Sequence, residues 1–163
     1  MLYQYPLKDV HVGAFKSLFK NYYAELGCDE DIEHLLDEYV IADCIAGLLS
    51  IDLLDVDGKT VGFVIYQIDT PQNEWNVKQG FGTVREIYLT PETRGNGFGK
   101  FMVLSAELKL LERGASQSYV LPDENAVDFF ERCGYARTDE YNDDLDCNVF
   151  IKPSLKNTCA CHK

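Results

Sequence analysis

The chain has 163 residues, and its 27 acidic and 15 basic residues give a formal net charge of −12 at pH 7. This length is typical of one domain, which can bury a core without disulfides or a metal. The charge argues against nucleic acid or an anionic membrane as the main partner. It favours either a cationic partner or simply a soluble acidic protein.

The first part of the chain predicts a short strand and two helices. Residues 2–5 could form the strand. Apolar residues recur at helical spacing from Leu7 to Leu26, and Gly27 suits the C-terminal cap of that helix. The pattern over 29–43 predicts the second helix, because acidic residues lie in its first turn and apolar residues share one face.

The middle of the chain predicts a three-stranded meander. Strand-like runs at 48–56 and 60–68 are joined by Asp57-Gly58, which is a strong signal for a tight hairpin turn. A polar loop over 70–80 separates them from a third strand over 81–89.

The last part of the chain alternates helices with strands. Its predicted elements are a helix over 97–113, a strand over 118–121, a helix over 123–133, and strands near 135–139 and 146–151. The first of these helices should make strand 118–121 parallel to strand 81–89, because it crosses over between them. The order of elements predicts the α+β class with a central mixed sheet.

The N-terminal residues and the cysteines indicate where in the cell the protein is expected to work. The first residues lack a basic segment followed by an apolar one, and no apolar run approaches about 20 residues, so we expect no signal peptide and no membrane span. The six cysteines are scattered, which favours a reduced, cytoplasmic setting. The tail residues Cys159, Cys161 and His162 lack a second ligand pair at zinc spacing. We therefore expect no metal, and a disordered tail over 155–163.

The most informative segment is Thr90-Pro91-Glu92-Thr93-Arg94-Gly95-Asn96-Gly97-Phe98-Gly99-Lys100, which links a predicted strand to a predicted helix. Its alternating glycines let the backbone approach a ligand closely. The N–H groups at the start of a helix favour an anion, and the side chains of Arg94 and Lys100 add two cationic donors. The segment therefore predicts a phosphate-binding loop.

Two common kinds of phosphate loop fit this segment poorly. A Walker A loop needs one more residue between Gly95 and Gly99, and Phe101 stands where a hydroxyl should hold magnesium. A Rossmann loop needs G-x-G-x-x-G after the first strand of a parallel sheet, whereas this G-x-G-x-G comes after several predicted strands.

A third kind of phosphate-binding loop fits this segment well. Arg94, Gly97 and Gly99 form R-x-x-G-x-G, which resembles the acetyl-CoA signature of the GNAT-type N-acetyltransferase superfamily. The segment from Ala126 to Tyr135 resembles the A-x-x-[FL]-Y-E-x-x-G-[FY] segment of the same family. The resemblance implies a GNAT-like domain over residues 1–154, with a mixed, largely antiparallel sheet of six to seven strands and about four helices.

The resemblance also implies acetyl-CoA as the cosubstrate. In the family, amides of the glycine loop cradle the coenzyme's pyrophosphate, and its pantetheine arm lies in a gap between two splayed strands. An N–H at Leu89 is the family's usual oxyanion donor. The implied coenzyme-binding residues are Ile87, Tyr88, Leu89, Arg94, Gly95, Asn96, Gly97, Phe98, Gly99, Lys100, Asn125 and Phe130.

Glu86 is the candidate general base, because the family often places a carboxylate three residues before that amide. Strand alternation puts Glu86 on the face of Val84 and Tyr88, opposite Arg85, Ile87 and Leu89. Recognition of a cationic substrate and a structural ion pair remain the two alternatives for Glu86.

The general acid departs from the family pattern. The family's tyrosine falls at Phe130, which cannot donate a proton, and its asparagine falls at Asp123, close to Asn125. Tyr141 is the candidate replacement; the alternatives are Tyr135, a water, or a thiolate that leaves unassisted.

The family's acceptor is bound by the first two helices and the last hairpin, which here supply Tyr22, Tyr23, Glu25, Asp29, Glu30, Tyr141, Asn142 and Asp143. These groups suit a cationic amine on a small molecule or peptide, although a solvated surface explains them equally well. The sequence thus predicts direct acetyl transfer to a primary amine. A coenzyme-binding sensor with little turnover and a transferase of longer acyl groups are the alternatives, and a homodimer is the partner that the family suggests.

Overall fold

The structure is a computed structural model that describes residues 1–28 and 31–156. Asp29, Glu30 and the Cys159, Cys161 and His162 cluster lie outside the described residues. Seven strands form one sheet in the order β1-β2-β3-β4-β5-β7-β6. The strands are β1 (Leu2–Pro6), β2 (Ser50–Val56), β3 (Lys59–Ile68), β4 (Gly82–Leu89), β5 (Ser118–Val120), β6 (Ala136–Asn142) and β7 (Cys147–Lys152).

The helices are α1 (Val12–Glu25), α2 (Ile32–Leu35), α3 (Ala42–Ile45), α4 (Phe98–Glu112) and α5 (Val127–Arg132), and a π-helical segment (Leu36–Ile41) joins α2 to α3. Strand β4 pairs in parallel with β5, whereas β1 with β2, β5 with β7, and β6 with β7 are antiparallel pairs. The predicted fold class is therefore confirmed, including the parallel pair that the crossover through α4 required.

The chain divides into two compact units, and each is described by itself. The first unit comprises Met1–Ile65 and Glu86–Gly99. Its apolar core consists of Phe15, Leu18, Phe19, Leu36, Val40, Leu49, Ile51, Leu53, Phe63, Ile65 and Tyr88. The predicted turn between β2 and β3 is confirmed, since Asp57 and Gly58 have φ angles of 51° and 83°, as a two-residue hairpin turn with both central residues at positive φ requires.

Both predicted helices of the first unit begin later than the periodicity suggested. Leu7 is not helical, because its N–H donates to the Ile51 carbonyl at 2.8 Å and so extends the pairing of β1 with β2. The second helix begins at Ile32, where the Asp31 carboxylate accepts the His34 N–H at 3.1 Å and acts as the N-terminal cap.

The second unit comprises Tyr66–Arg85 and the chain from Lys100 onward. The polar loop predicted over 70–80 is organised by Asp69, a buried residue whose carboxylate accepts the N–H groups of Val77 and Lys78 at 2.7 and 2.9 Å. The hydroxyl of Tyr119 on β5 also donates to this carboxylate, at 2.6 Å. One buried acidic side chain therefore fixes the loop that precedes β4.

Two predicted boundaries of the second unit need correction. Helix α5 is shorter than 123–133, because the Asp123 carboxylate accepts the N–H groups of Asn125 and Ala126 at 2.9 and 3.0 Å and holds a turn there. Leu155 was expected to begin a disordered tail, but it is fully buried and its N–H donates to the Ser116 carbonyl at 2.9 Å. The folded chain therefore continues past 154.

A buried ionic cluster lies beneath α4 in the second unit. Glu107 on α4 is inaccessible to solvent and accepts hydrogen bonds from Lys152 Nζ and the Tyr135 hydroxyl, both at 2.7 Å. The Tyr135 hydroxyl also lies 2.9 Å from Ser118 Oγ. Burial and the Glu107 charge hold the pKa of Tyr135 well above its ordinary value.

Candidate functional site

The glycine segment follows β4 directly and opens α4. Gly95 and Gly97 both have φ angles of 79°, a conformation that side chains disfavour. A Cβ atom added to either glycine would meet no atom within 4 Å, so the backbone here borders open space. The loop has the positive-φ geometry that the sequence predicted, and none of the described residues covers these two glycines.

The amides of this loop are available to a ligand. Among the hydrogen bonds of the described residues, none is donated by the backbone N–H of Gly95, Asn96 or Gly97. The first N–H groups of α4, from Phe98 onward, have no partner within the helix. Lys100 is exposed in the same first turn. Consecutive free amides at a helix N-terminus are an anion-binding arrangement.

The segment between β4 and the glycines is held in one conformation by local bonds. The Thr90 N–H donates to the Val61 carbonyl on β3 at 2.8 Å. The Thr90 carbonyl accepts both the N–H of Thr93, at 3.0 Å, and its hydroxyl, at 2.9 Å. The path of the chain into the glycine loop is thereby fixed from the end of the strand.

Gly62 on β3 allows a close approach to the end of β4. A Cβ atom at this position would lie 2.6 Å from the Tyr88 carbonyl oxygen and 2.8 Å from Leu89 Cδ2. Because the first of these atoms is backbone, any larger residue would push the end of β4. The missing side chain therefore sets the position of the predicted oxyanion donor, the Leu89 N–H.

The side chain of Arg94 turns back toward β4 and α1 within the first unit. Its Nε donates to the Leu89 carbonyl at 3.0 Å, and Nη2 donates to Glu25 Oε2 at 2.7 Å. The other Glu25 oxygen accepts the Tyr88 hydroxyl at 2.8 Å. The hydrogen bond from Arg94 lowers the pKa of Glu25, and burial, followed by the bond to Glu25, raises the pKa of Tyr88 to about 12.

Glu86 is partly buried on β4 and accepts a hydrogen bond from the Tyr23 hydroxyl at 3.1 Å. Burial and the nearby Glu86 charge raise the pKa of Tyr23 above its ordinary value. Glu86 and Tyr88 both contact side chains of α1, which confirms the predicted alternation along the strand. Tyr23 and Glu25 were predicted only to contact the acceptor substrate, and their partners on β4 could not be predicted from the sequence.

The first unit thus contains ten of the predicted site residues, namely Glu86, Ile87, Tyr88, Leu89, Arg94, Gly95, Asn96, Gly97, Phe98 and Gly99, and the second unit contains Lys100, Asn125, Phe130 and Tyr141. In the second unit, Asn125 is exposed in the turn before α5, and Phe130 is buried with its ring edge-on to Tyr135 at 5.7 Å. Phe130 thus packs against Tyr135 within this unit.

The phenols considered as the general acid are both engaged in hydrogen bonds. Tyr141 is exposed on β6, and its hydroxyl donates to Asp146, whose bond raises the pKa of this phenol. The Tyr135 hydroxyl belongs to the buried Glu107 cluster, which does not fit the role of an acid that reaches a substrate. Asn142, predicted to contact the acceptor, accepts the Leu145 N–H at 2.9 Å and stabilises the hairpin turn.

The described residues form neither a metal site nor a helix that could cross a membrane. Over 1–28 and 31–156, no group of three or more His, Cys, Asp or Glu side chains has the arrangement of a metal site. Over the same ranges, none of the helices combines the length and the apolar character that a membrane crossing needs. The four cysteines in these ranges, Cys28, Cys44, Cys133 and Cys147, are free.

Comparison with known protein families gives a clear match. The sequence profile described as the acetyltransferase (GNAT) family matches residues 14–135. This range includes both the glycine loop and the segment from Ala126 to Tyr135. No curated protein sequence matches the chain significantly.

Several solved structures share the fold. The PaiA N-acetyltransferase from Thermoplasma acidophilum, in complex with coenzyme A, is 17% identical with a TM-score of 0.68, and the match covers 94% of this chain and 99% of that one. The aminoglycoside acetyltransferase AAC(6′)-Ib, also with coenzyme A, is 12% identical with a TM-score of 0.73 and full coverage of both chains (100% and 100%).

The ribosomal-protein-S18-alanine N-acetyltransferase from Escherichia coli is 16% identical with a TM-score of 0.62, over 93% of this chain and 91% of that one. At such low identities these likenesses show a shared fold and do not transfer a substrate.

Proposed function

The chain belongs to the acetyltransferase (GNAT) family, and we propose that it moves an acetyl group directly from acetyl-CoA to a primary amine of a small molecule or peptide. The observation that carries the proposal is the loop between β4 and α4, with Gly95 and Gly97 at φ 79° and their amides free. Such a loop suits a diphosphate group, and coenzyme A contains one. Two of the similar structures were crystallised with coenzyme A.

The residues present fit this coenzyme. The amides of residues 95–99 would hold the diphosphate, and the exposed Lys100 would add a cationic donor. The backbone of Ile87, Tyr88 and Leu89 would pair with the pantetheine arm. We also assign Asn125 and Phe130, which stand at the matching positions of the second family segment, to coenzyme binding.

When bound, acetyl-CoA supplies the acetyl group as an activated thioester. The Leu89 N–H would stabilise negative charge on the carbonyl oxygen as the amine attacks. Glu86 would accept the proton that the amine loses, directly or through a water, and Tyr23 would orient its carboxylate through their hydrogen bond. The C–N bond forms, the C–S bond breaks, and the departing thiolate takes up one proton to become the free thiol.

The acceptor is proposed to be cationic. The chain carries a net charge of −12, and α1 presents Tyr22, Tyr23 and Glu25 near its C-terminal end. Similar structures include an aminoglycoside acetyltransferase and a ribosomal-protein-S18-alanine N-acetyltransferase, so both small molecules and peptides are represented among proteins of this fold. A homodimer and a cytoplasmic setting remain parts of the proposal.

One observation favours the alternative of a coenzyme-binding sensor with little turnover. Phe130 is buried and has no hydroxyl, and the phenols of Tyr135 and Tyr141 are bonded to Glu107 and Asp146. Loss of a positioned general acid costs roughly 10²–10⁴-fold in rate where proton transfer is rate-limiting.

For the transferase, we propose that the thiolate takes a proton from water or leaves unassisted. Tyr141 is the side chain proposed as an alternative proton donor.

Release of free coenzyme A from acetyl-CoA, measured by chromatography with a panel of polyamines, aminoglycosides and peptides, tests the proposal. Glu86→Gln should lower this release by roughly 10²–10⁴-fold, and Glu86→Asp should retain part of it, because only the latter keeps a base. Glu33→Gln, which removes a surface carboxylate paired with Lys20, is the matched control and should retain the wild-type rate.

Two results would count against this proposal, the first against one residue's role and the second against the function. Full activity of Glu86→Gln across about pH 6–9 would exclude Glu86 as the base while leaving the transferase intact. Binding of acetyl-CoA without release of coenzyme A for any amine in the panel would favour the sensor.

A further inference from the structure

Arg94 opens the glycine signature, and its side chain is held by three groups of the first unit. Nε donates to the Leu89 carbonyl at 3.0 Å, and Nη2 donates to Glu25 Oε2 at 2.7 Å. The guanidinium carbon lies 5.5 Å from the centre of the Tyr88 ring. The flat fork of an arginine can bind two acceptors on one edge and stack on an aromatic ring, and Arg94 does both.

Glu25 completes the arrangement from the last turn of α1. One of its oxygens accepts Arg94 and the other accepts the Tyr88 hydroxyl at 2.8 Å. The carboxylate therefore links two side chains that flank the end of β4, one before Leu89 and one after it. We call Glu25, Tyr88 and Arg94 the arginine clamp.

The arginine clamp holds the backbone segment that leads into the glycine loop. Arg94 binds the carbonyl of Leu89, five residues earlier, so its side chain closes the segment that runs from the strand to Gly95. The Thr93 hydroxyl makes a similar closing bond to the Thr90 carbonyl at 2.9 Å. Two side chains thus fix the direction in which the free amides of Gly95 and Gly97 point.

We propose that Arg94 and Glu25 are positioning residues, which orient the coenzyme loop through Leu89 and do not contact the diphosphate. The proposal rests on the proposed function, because it takes acetyl-CoA as the ligand of the loop. It changes the role that the sequence suggested for Arg94, from a donor to phosphate to a support for the amides that bind it.

The two roles of Arg94 predict opposite effects of removing Glu25. If Arg94 binds the diphosphate directly, Glu25 competes with the coenzyme for it, and Glu25→Gln should tighten binding. If Arg94 supports the loop, Glu25→Gln loosens the clamp and should weaken binding. The amide of glutamine has nearly the same shape as the carboxylate, so the change mainly removes the charge that holds the guanidinium.

Isothermal titration of acetyl-CoA into the 163-residue chain, at low and at high salt, separates the two roles of Arg94. We expect Glu25→Gln and Arg94→Gln each to raise Kd by roughly three- to tenfold, which is the net contribution of one ordinary hydrogen bond, because the clamp acts on the coenzyme only through the loop. The double variant should bind no more weakly than either single variant, because both changes break the same clamp. The dependence of Kd on salt should remain that of the wild type.

Arg94→Lys is a second discriminating variant. Lysine keeps the charge but cannot reach the Leu89 carbonyl and Glu25 together in the same fork, so it should bind acetyl-CoA as weakly as Arg94→Gln. Glu92→Gln is the control for lost negative charge. It removes a carboxylate two residues from Arg94 that pairs with Lys59 at 3.5 Å, and it should bind like the wild type.

The proposal is overturned if Glu25→Gln binds acetyl-CoA as tightly as the wild type or more tightly, if Arg94→Lys retains wild-type affinity, or if Arg94→Gln weakens the salt dependence. Additive losses in the double variant would also overturn it. A cooperative thermal unfolding transition in each variant shows that the variant is folded. A wild-type chain that binds no acetyl-CoA would instead refute the proposed function, so the two failures are distinct.

Discussion

Gly97→Ala should abolish most binding of acetyl-CoA. At φ 79° an added Cβ costs about 1–2 kcal/mol, and the loop can relieve this strain only by rotating the peptides whose N–H groups face the ligand. Loss of one or two charge-assisted hydrogen bonds to the diphosphate should raise Kd by roughly 10- to 100-fold. Titration calorimetry with acetyl-CoA measures the change.

Gly47→Ala is the matched control for this prediction. Gly47 has a φ angle of 76°, and, as at Gly97, an added Cβ would meet no atom within 4 Å. The two substitutions should therefore cost similar free energy of unfolding, while only Gly97→Ala weakens coenzyme binding. Equal loss of binding in both variants would mean that backbone strain acts through general stability.

Glu107→Gln should lower the free energy of unfolding by about 3–5 kcal/mol, because it leaves the buried ammonium of Lys152 without its carboxylate. Glu107 is inaccessible to solvent and Lys152 is 9% exposed, so water cannot replace the lost partner. Urea denaturation of the wild type and the variant measures the difference.

The double variant Glu107→Gln with Lys152→Met is the control. It removes both charges, so most of the lost stability should return, since a buried ion pair can often be replaced by neutral groups at little cost. A loss below about 1 kcal/mol in Glu107→Gln alone would contradict the assignment of a dry ion pair, since it would mean that solvent reaches Lys152.

Features that depend on local chemistry could be predicted from the sequence. The Asp57-Gly58 turn was predictable because two adjacent residues at positive φ need such a pair. The strand, glycine loop and helix around Gly97 were predictable for the same reason, since glycine spacing, strand alternation and helical periodicity are all properties of a short segment.

Contacts between distant segments could not be predicted. Glu25 and Arg94 are 69 residues apart in sequence, and Tyr23 and Glu86 are 63 apart. Each of these side chains could pair with many partners. Tyr23 and Glu25 could therefore be predicted only as contacts of the acceptor substrate. Their pairing follows from packing α1 against β4, which is a property of the tertiary fold.

Helix boundaries were wrong where a polar side chain competes with the helix. Apolar spacing over 123–133 suggested a full helix, but the Asp123 carboxylate binds the N–H groups of Asn125 and Ala126 and delays α5 to Val127. Periodicity also did not predict the π-helical segment of Leu36–Ile41, because π-helices are rare and the apolar spacing there fits an ordinary helix.

A crystal structure of the protein with acetyl-CoA bound tests the central claim most directly. We expect the N–H groups of residues 95–100 to lie within hydrogen-bond distance of the diphosphate oxygens, with the thioester near the Leu89 N–H. A coenzyme bound elsewhere on the molecule, or loop amides bonded to protein groups while the diphosphate faces solvent, would contradict it.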